Sequence, residues 1–597
     1  MPNKLDLWNR LPRPSFDKKK LSKRMRKAEG ATLKHANRFV FKRLNNIREV
    51  QWNVIVWVLA MGVLIAATGL QLMWNQQGYQ TVAAAEDGIY AEAALGPVDT
   101  LNPLFANSSA EQSASYLMFS RLLNYDTTGH LNYDLATNIT LNDTKTVYTI
   151  TIRPDVKWHD GAKLTARDIE FTVDLMKDPN MRTVFSGWSD IGVKAINDTT
   201  IEFTLKSPFA PFENALVFPI VPQHLLSGVT PLSIRENNFS QNPVGSGPFK
   251  FNMIQSVDST SGQKVIYMFR NDDYYGGTAK LSRFQLHSYN TESEIINALS
   301  KNEVNAATDL SITDIGSIKK SQYDIVAKPI QTGVYAILNT KSALLKDVSI
   351  RHSLQIATNT ATIRQKLPNG TPALWLPFTT GQLTGNVPGA PIYNLESAKK
   401  LLDDNGWKLG KDNVREKAGT KLKLSVVTTK DNELEAVLQN LTDQWKKLGV
   451  ITETKIIDLN DATQSDAQNI LQPRNYDVLL YQLDIGADPD EYAYWHSSQD
   501  STHGLNYSNY SNQISDDALI SARARIEPTL RNAKYITFAN QWLSDIPAIG
   551  LYQSTIKYAV SKGAQTFDTS NKLVSSVDRY SDILNWSVGS HTVYKTP

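Results

Sequence analysis

The sequence predicts an α/β protein of more than one lobe, preceded by a single transmembrane helix. Three observations lead there. At 597 residues the chain exceeds what one hydrophobic core organises. The run "VIVWVLAMGVLIAATGL", Val54 to Leu70, is uncharged and almost wholly apolar. Downstream, β-branched alternation and helical apolar stripes follow one another repeatedly, the pattern of strand–helix–strand units. At 41% hydrophobic and 9% aromatic residues the chain is globular in composition. The absence of cysteine excludes disulfides, thiolate catalysis, cysteine-held metals and a lipidated-cysteine anchor.

The N-terminal 50 residues carry fifteen Lys/Arg against four Asp/Glu, whereas the rest is net acidic. An arm of this charge beside an apolar span fits the positive-inside rule, which keeps it in the cytoplasm; the competing reading is a patch for nucleic acid or anionic lipid. The span, extended by "QLMW" to Trp74 and flanked by Trp52 and Trp74, is long enough for a ~30 Å hydrocarbon layer at ~1.5 Å per residue. "VAAAE" at 82–86 offers small residues to a signal peptidase, but about fifty preceding residues are too many for a signal n-region. An uncleaved, single-pass anchor is therefore expected, with the N-terminus inside and the remainder outside.

A small, polar tether follows at 75–87. "TVYTITIRPDVKW" (146–158) alternates as a half-buried strand. "TARDIEFTVDLMKD" (165–178) reads as a helix started by Thr165 and Asp168, with Ile169, Val173 and Met176 on one face. "TTIEFTLKSP" (199–208) is a strand stopped by Pro208. "LKLSVVTT" (422–429) is a buried strand, and the next helix aligns Leu434, Val437, Leu438, Leu441, Trp445 and Leu448. "GVITETKIIDL" and "YDVLLYQL" (476–483) supply further strands, together implying βαβ units over a mostly parallel sheet. "GSGP" within 242–251 lacks the lysine of a phosphate loop and the third glycine of a dinucleotide fingerprint, and reads as a backbone turn.

The order of motifs carries more than any one of them. "TLNPLFA", "SRLLNYDTTGHLNYDLA", "YTITIRPDVKWHDGAKLTARDIEFT", "NPVGSGPFKF", "RNDDYYGG", "YAILNTKSALLKDVSIRHSLQIATN", "NLESAKKLLDDNGW" and "IPAIGLYQ" resemble, in sequence and order, the family 5 extracellular solute-binding proteins. These are the oligopeptide- and dipeptide-binding receptors of ABC importers. The resemblance spans nearly all of 88–597. It implies a two-lobed, periplasmic-binding-protein-like (type II) clamshell, with lobe I at 88–330, lobe II at 331–545 and a return to lobe I at 546–597; the basic cytoplasmic arm at 1–52, the transmembrane helix at 53–74 and the linker at 75–87 are read from the residues themselves. It further implies a monomer that takes up peptides and hands them to permease and ATPase subunits, without cofactor, metal, nucleic acid or bond cleavage. The anchor departs from the family, whose members carry a lipid on an N-terminal cysteine or are free in a periplasm.

The stretch "YQLDIGADPDEYAYWHSSQ" (481–499) concentrates the candidate chemistry. Asp484 and Asp488 could serve as the two acids of a hydrolase. In the receptor reading, the resemblance makes a carboxylate here the partner of a peptide's α-ammonium. The dipeptide-type pattern places that acid three residues before the acidic-Pro pair, where this chain has Ile485. Asp484 stands one residue further back, and on a regular strand would face the other way. A bulge would restore it. Tyr492, Trp495, His496, Asn506 and Tyr510 are expected to line the cleft, with Trp375 from the second lobe and Asn102 from the first. The nine histidines form no i,i+4 pair and no H-E-x-x-H motif, no G-x-S-x-G elbow is present, and His159 in "KWHDG" belongs to a turn. A sugar, a metal chelate or another polar solute in the same fold is the alternative ligand.

Overall fold

The computed structural model describes Lys34 and residues 47–84, 86–257, 262–459 and 465–594; most of the basic arm lies outside these. The chain divides into two compact units, residues 1–83 with 592–597, and residues 84–591.

The first unit contains one long helix, α1 (Ile47–Tyr79). Its segment Trp52–Met73 is 22 residues long, has a mean hydropathy of 2.1 and contains no buried stretch. The helix continues five residues beyond the expected end at Trp74, into the segment read as a tether.

The second unit is built on a ten-stranded mixed sheet and a four-stranded antiparallel one. The elements needed below are β1 (Gly88–Leu95), α2 (Ser109–Met118), β2 (Ala136–Leu141), β3 (Val147–Ile152), α3 (Ala166–Lys177), β4 (Gly192–Asn197), β5 (Thr200–Thr204), β6 (Phe249–Ser256), β7 (Lys264–Arg270), β8 (Leu281–Tyr289), α4 (Glu292–Ser300), β9 (Ala306–Ala307), β10 (Tyr323–Leu338), β11 (Lys423–Thr429), α5 (Asn432–Leu448), β12 (Ile451–Ile457), β13 (Val478–Asp484), α6 (Gln513–Arg523), α7 (Pro528–Asp545) and β14 (Ala548–Ser561). The large sheet runs β12-β11-β13-β10-β14-β9-β1-β8-β7-β6 and the small one β2-β3-β5-β4.

The large sheet is less parallel than the strand–helix pattern implies. β11 pairs parallel with β12 and β13, and β1 with β8 and β9. The long strands β10 and β14 run antiparallel to each other. β3 alternates buried and half-buried residues as read, but stops at Ile152 because Pro154 removes the next ladder donor.

The cores fall into two groups. Tyr90, Leu117, Ile169, Phe284 and Tyr580 belong to the core of one lobe, and Val334, Leu354, Leu441, Trp445 and Leu480 to one of the cores of the other. β10 and β14 contribute to both. Val334 to Leu338 lie in the second lobe, while Tyr558, Ala559 and Tyr323 lie in the first. Their mutual register breaks between Pro329 and Gly333, where the chain passes between lobes.

Local signals explain the helices near the cleft. α3 opens on a capping box in which Asp168 accepts from the Thr165 N–H at 2.8 Å, and Ile169, Val173 and Met176 are buried. On α5 all six expected apolar positions are buried, and Asp431 caps its first turn. The "GSGP" turn is a close backbone approach. A Cβ at Gly245 would lie 1.9 Å from the Met118 carbonyl oxygen, so only glycine fits.

The first lobe hides an ion pair of zero exposure, Glu92 with Arg579, at 2.6 Å. Tyr558 and Tyr580 hydroxyls donate to Glu92, and Arg579 also donates to Ser113 and to the Ser576 carbonyl. Every charged atom in this network has a partner, the condition under which a buried pair is tolerated.

Candidate functional site

Between the lobes lies a cavity of about 730 Å³. The first lobe lines it with Pro97, Asp99, Ser108 and Thr308, the crossing strands with Ile330, Ser554 and Lys557, and the second lobe with Asp431, Glu433 and Gln482. The lobes also touch directly. Asn432 Nδ2 donates to Glu292 Oε2 at 2.9 Å. Elsewhere the Ala210 N–H donates to the Arg523 carbonyl at 2.8 Å, Asn214 Nδ2 reaches Asp488 Oδ2 at 3.4 Å, and the Arg523 guanidinium lies 4.9 Å from the Phe209 ring.

The wall from the second lobe is the end of β13. Alternation buries Leu479 and Leu483 in the core and leaves Gln482 and Asp484 exposed on the opposite face, the one that Gln482 presents to the cavity. Beyond Asp484 the ladder takes in an extra residue. The Ile485 and Gly486 N–H groups both donate to the Gln331 carbonyl, at 3.0 and 2.9 Å, and Gly486 adopts φ 77°. Two successive N–H groups on one carbonyl are the pattern of a bulge, placed after Asp484, while the register up to Asp484 itself is regular. Ile485, at the register position of the family's acid, is instead buried in the core. Asp484 accepts from Thr332 Oγ1 at 2.8 Å, and its backbone carbonyl from the Tyr494 hydroxyl at 2.9 Å.

The other acids of the stretch are engaged. Arg531 grips both oxygens of Asp488. Arg523 holds Asp490 at 2.8 Å. Glu491 is buried and accepts from Trp495 Nε1 at 2.9 Å; desolvation holds its carboxyl well above the ordinary value, reinforced by Asp490 and Asp488. An Asp488 clamped bidentately by a guanidinium is a poor general base, so the paired-acid arrangement of a hydrolase is not favoured.

The remaining candidates sit behind this wall or apart from it. Tyr492 is half-buried, stacked on His496 with ring centroids 4.1 Å apart, and covered by Arg523 at 4.2 Å. Trp495 is buried against Tyr335 and Trp542. His496 is buried, with Nδ1 engaged by the Ser498 hydroxyl and N–H, and burial lowers its pKa. Asn506 is fully buried and ties the loop together through the carbonyls of His496 and Tyr510. Tyr510 is buried and bonds Ser515 and Asp545, each at 2.7 Å. Trp375 is half-buried beside a separate cavity of about 240 Å³, its Nε1 donating to the Pro388 carbonyl. Asn102 is fully buried and caps a short 3-10 turn by accepting from the Leu104 N–H. None of these seven lines the main cavity, and neither does Asp484, which follows the lining residue Gln482 on the same strand face but lies outside the lining itself. Aromatic and amide residues near an acidic segment carry no mark that separates a cleft wall from a loop's internal staples.

The cavity's own lining comes from strand ends and helix starts. α2, α4 and α5 all begin there, and each N-terminus carries its own carboxylate. Glu111 accepts four backbone N–H groups, from Asp99, Thr100, Asn107 and Ser108. Glu294 completes the α4 capping box, and Asp431 caps α5. Glu433 pairs with Lys557 and accepts from the Tyr552 hydroxyl at 3.0 Å. Among the described residues no cluster of three or more His, Asp or Glu side chains is placed to hold a metal ion.

This geometry has known counterparts. Residues 130–504 match the sequence profile of the bacterial extracellular solute-binding proteins, family 5 Middle. The chain belongs to that family. Among relatives of this family 5 protein, the oligopeptide-binding protein AppA of Bacillus subtilis is 27% identical over 483 residues, covering 78% of this chain and 86% of that protein. OppA of Lactococcus lactis subsp. cremoris is 24% identical over 457 residues, covering 68% and 74%. Of solved structures, B. subtilis AppA in complex with a nonapeptide superposes with a TM-score of 0.69 at 24% identity, covering 85% of this chain and all of that one. NikZ of Campylobacter jejuni in complex with Ni(L-His) gives 0.70 at 22%, covering 84% and 99%. The shared fold is that of the type II periplasmic binding proteins.

Proposed function

We propose that this protein is a membrane-anchored receptor that captures peptides between its lobes and presents them, outside the cytoplasmic membrane, to the permease and ATPase of an ABC importer. The observation that carries this reading is the roughly 730 Å³ cavity lined by both lobes, with direct contacts between the lobes and with Gln482 of β13 in its wall. An exposed strand face offers a peptide regular polar positions, and a cavity of this size suits a ligand of several residues. Relatives named as oligopeptide-binding proteins support the ligand class. Closure around a ligand gives an importer two distinguishable shapes to read, and no covalent step is needed. Asp484, on the cavity-facing side of β13 and steadied by Thr332, is the group proposed to receive the α-ammonium. The exposed apolar helix of α1 is proposed to remain as a single-pass anchor for a monomer, with the basic arm inside.

The test is native mass spectrometry and titration calorimetry on the full-length chain in detergent micelles. Co-purified peptides, or binding of tri- to nonapeptides at micromolar concentration or below, are expected. Co-purification of a sugar or metal chelate, with no peptide bound across that length range, overturns the peptide assignment while leaving the fold and family intact.

A further inference from the structure

The charges that face the cavity are unequal. Six carboxylates line it, Asp99, Glu111, Glu292, Asp309, Asp431 and Glu433, against two cations, Arg235 and Lys557. Lys557 is already paired with Glu433. Helix N-termini ordinarily attract anions, and three of them open here. Their own caps Glu111, Glu294 and Asp431 already meet that demand, so the helix ends offer little to an anionic ligand. Asp99 is exposed and has no ion-pair partner among the described residues. Arg235 rests over the Phe105 ring at 5.4 Å, the one lining cation outside an ion pair.

A second observation is independent of charge. Thr308 and Ser554, 1% and 5% exposed, line the same cavity, and their hydroxyl oxygens have no hydrogen-bond partner among the described residues. Buried polar groups are normally satisfied, so an unmet hydroxyl in a cavity wall marks a place where a ligand group completes it. The two lie on opposite sides of the crossing, one just after β9 and one within β14.

We propose that the cavity selects peptides bearing basic side chains, whose ammonium or guanidinium groups seat against Asp99 and Asp431 while Thr308 and Ser554 bond the peptide's polar groups. This inference rests on the peptide-receptor reading. Lysine and arginine chains are donor-only groups that match an excess of carboxylate acceptors. An acidic peptide in the same place leaves like charges facing each other, a penalty that supplies selectivity.

Three tetrapeptides with the same free N-terminus separate side-chain selection from recognition of the α-ammonium: Ala-Lys-Lys-Ala, Ala-Ala-Ala-Ala and Ala-Glu-Glu-Ala. Titrated into the full-length chain in detergent at low salt, the basic peptide is expected to bind about tenfold or more tightly than the acidic one, with the neutral peptide between. That ratio shrinks at roughly 0.5 M salt as the charges are screened. Asp99→Lys, at an exposed side chain on which no packing depends, is expected to cut the basic-to-acidic ratio by about fivefold or more, with the melting transition unchanged. Equal affinities for the three peptides, preference for the acidic one, or a ratio indifferent to Asp99→Lys overturns the selectivity. If no peptide of any charge binds, the receptor reading falls as well, which distinguishes the two failures.

Discussion

Asp484 shows how one residue's environment decides its role. Unlike Asp488 and Asp490 it has no cation partner among the described residues, its carboxylate accepting instead from a neutral hydroxyl on the neighbouring strand. Asp484→Ala is expected to weaken binding of peptides with a free N-terminus by about 10- to 100-fold, the worth of a charged hydrogen bond. N-acetylated peptides are expected to lose much less, and equal losses by calorimetry would remove Asp484 from that role. His159 is the second residue with a measurable signature. Its Nε2 lies 3.0 Å from the Gly247 carbonyl and its Nδ1 accepts from the Gly245 N–H at 3.2 Å, a pair that only the neutral ring can make. Burial lowers its pKa to about 4. The folded pKa therefore lies below the unfolded value near 6.5, so this contribution is full above about pH 6.5 and is lost as pH falls toward 4, by at most about 3 kcal/mol. Melting temperatures of the parent and of His159→Phe are expected to converge across that window.

At the scale of elements, local chemistry was readable where it acts locally. The β-branched alternation of β3, the Thr165–Asp168 box of α3 and the apolar stripe of α5 each depend on neighbours a few residues away, and each stands where the sequence places it. What could not be read is which elements meet. β10 and β14 pair antiparallel across more than 200 intervening residues, and nothing in either strand specifies that partner. The site residues fail for the same reason. Asn506 and Tyr510 have the composition of a cleft wall, yet their polar atoms close a loop, while Thr308 and Ser554 reach the cavity from segments with no motif. The bulge after Asp484 has no mark in the sequence, and only the doubled bond to Gln331 reveals it. The "GSGP" turn yields a test at this scale. Gly245→Ala is expected to cost about 1–3 kcal/mol or more by overpacking against Met118, read as a lowered denaturant midpoint.

At the scale of the molecule, Arg523 links the lobes. It pairs with Asp490 and stacks on Tyr492 in the second lobe, while its carbonyl and guanidinium meet Ala210 and Phe209 of the first. Arg523→Ala is expected to favour the open shape, raising the radius of gyration in small-angle scattering and weakening ligand binding by about tenfold, roughly 1.4 kcal/mol. An unchanged radius and affinity would show that closure does not depend on it. The anchor is testable in cells. The full chain is expected to stay in the membrane pellet through an alkaline wash, and a chain lacking residues 1–79 to appear in the soluble fraction; an intact chain released by the wash would contradict the anchor.

The Glu92–Arg579 pair has a consequence in time. Its partners are 487 residues apart, one on the first strand of the binding unit and one near the chain's end. A chain crossing a membrane from its N-terminus delivers Glu92 early and Arg579 almost last. Until then the first lobe contains a carboxylate with no cation and a core without Tyr558, Tyr580 and Trp586. The second lobe's cores, drawn from residues 334 to 552, are complete sooner. The lobe that begins first is thus finished last, and on the proposed route across the membrane it is the half left incomplete longer.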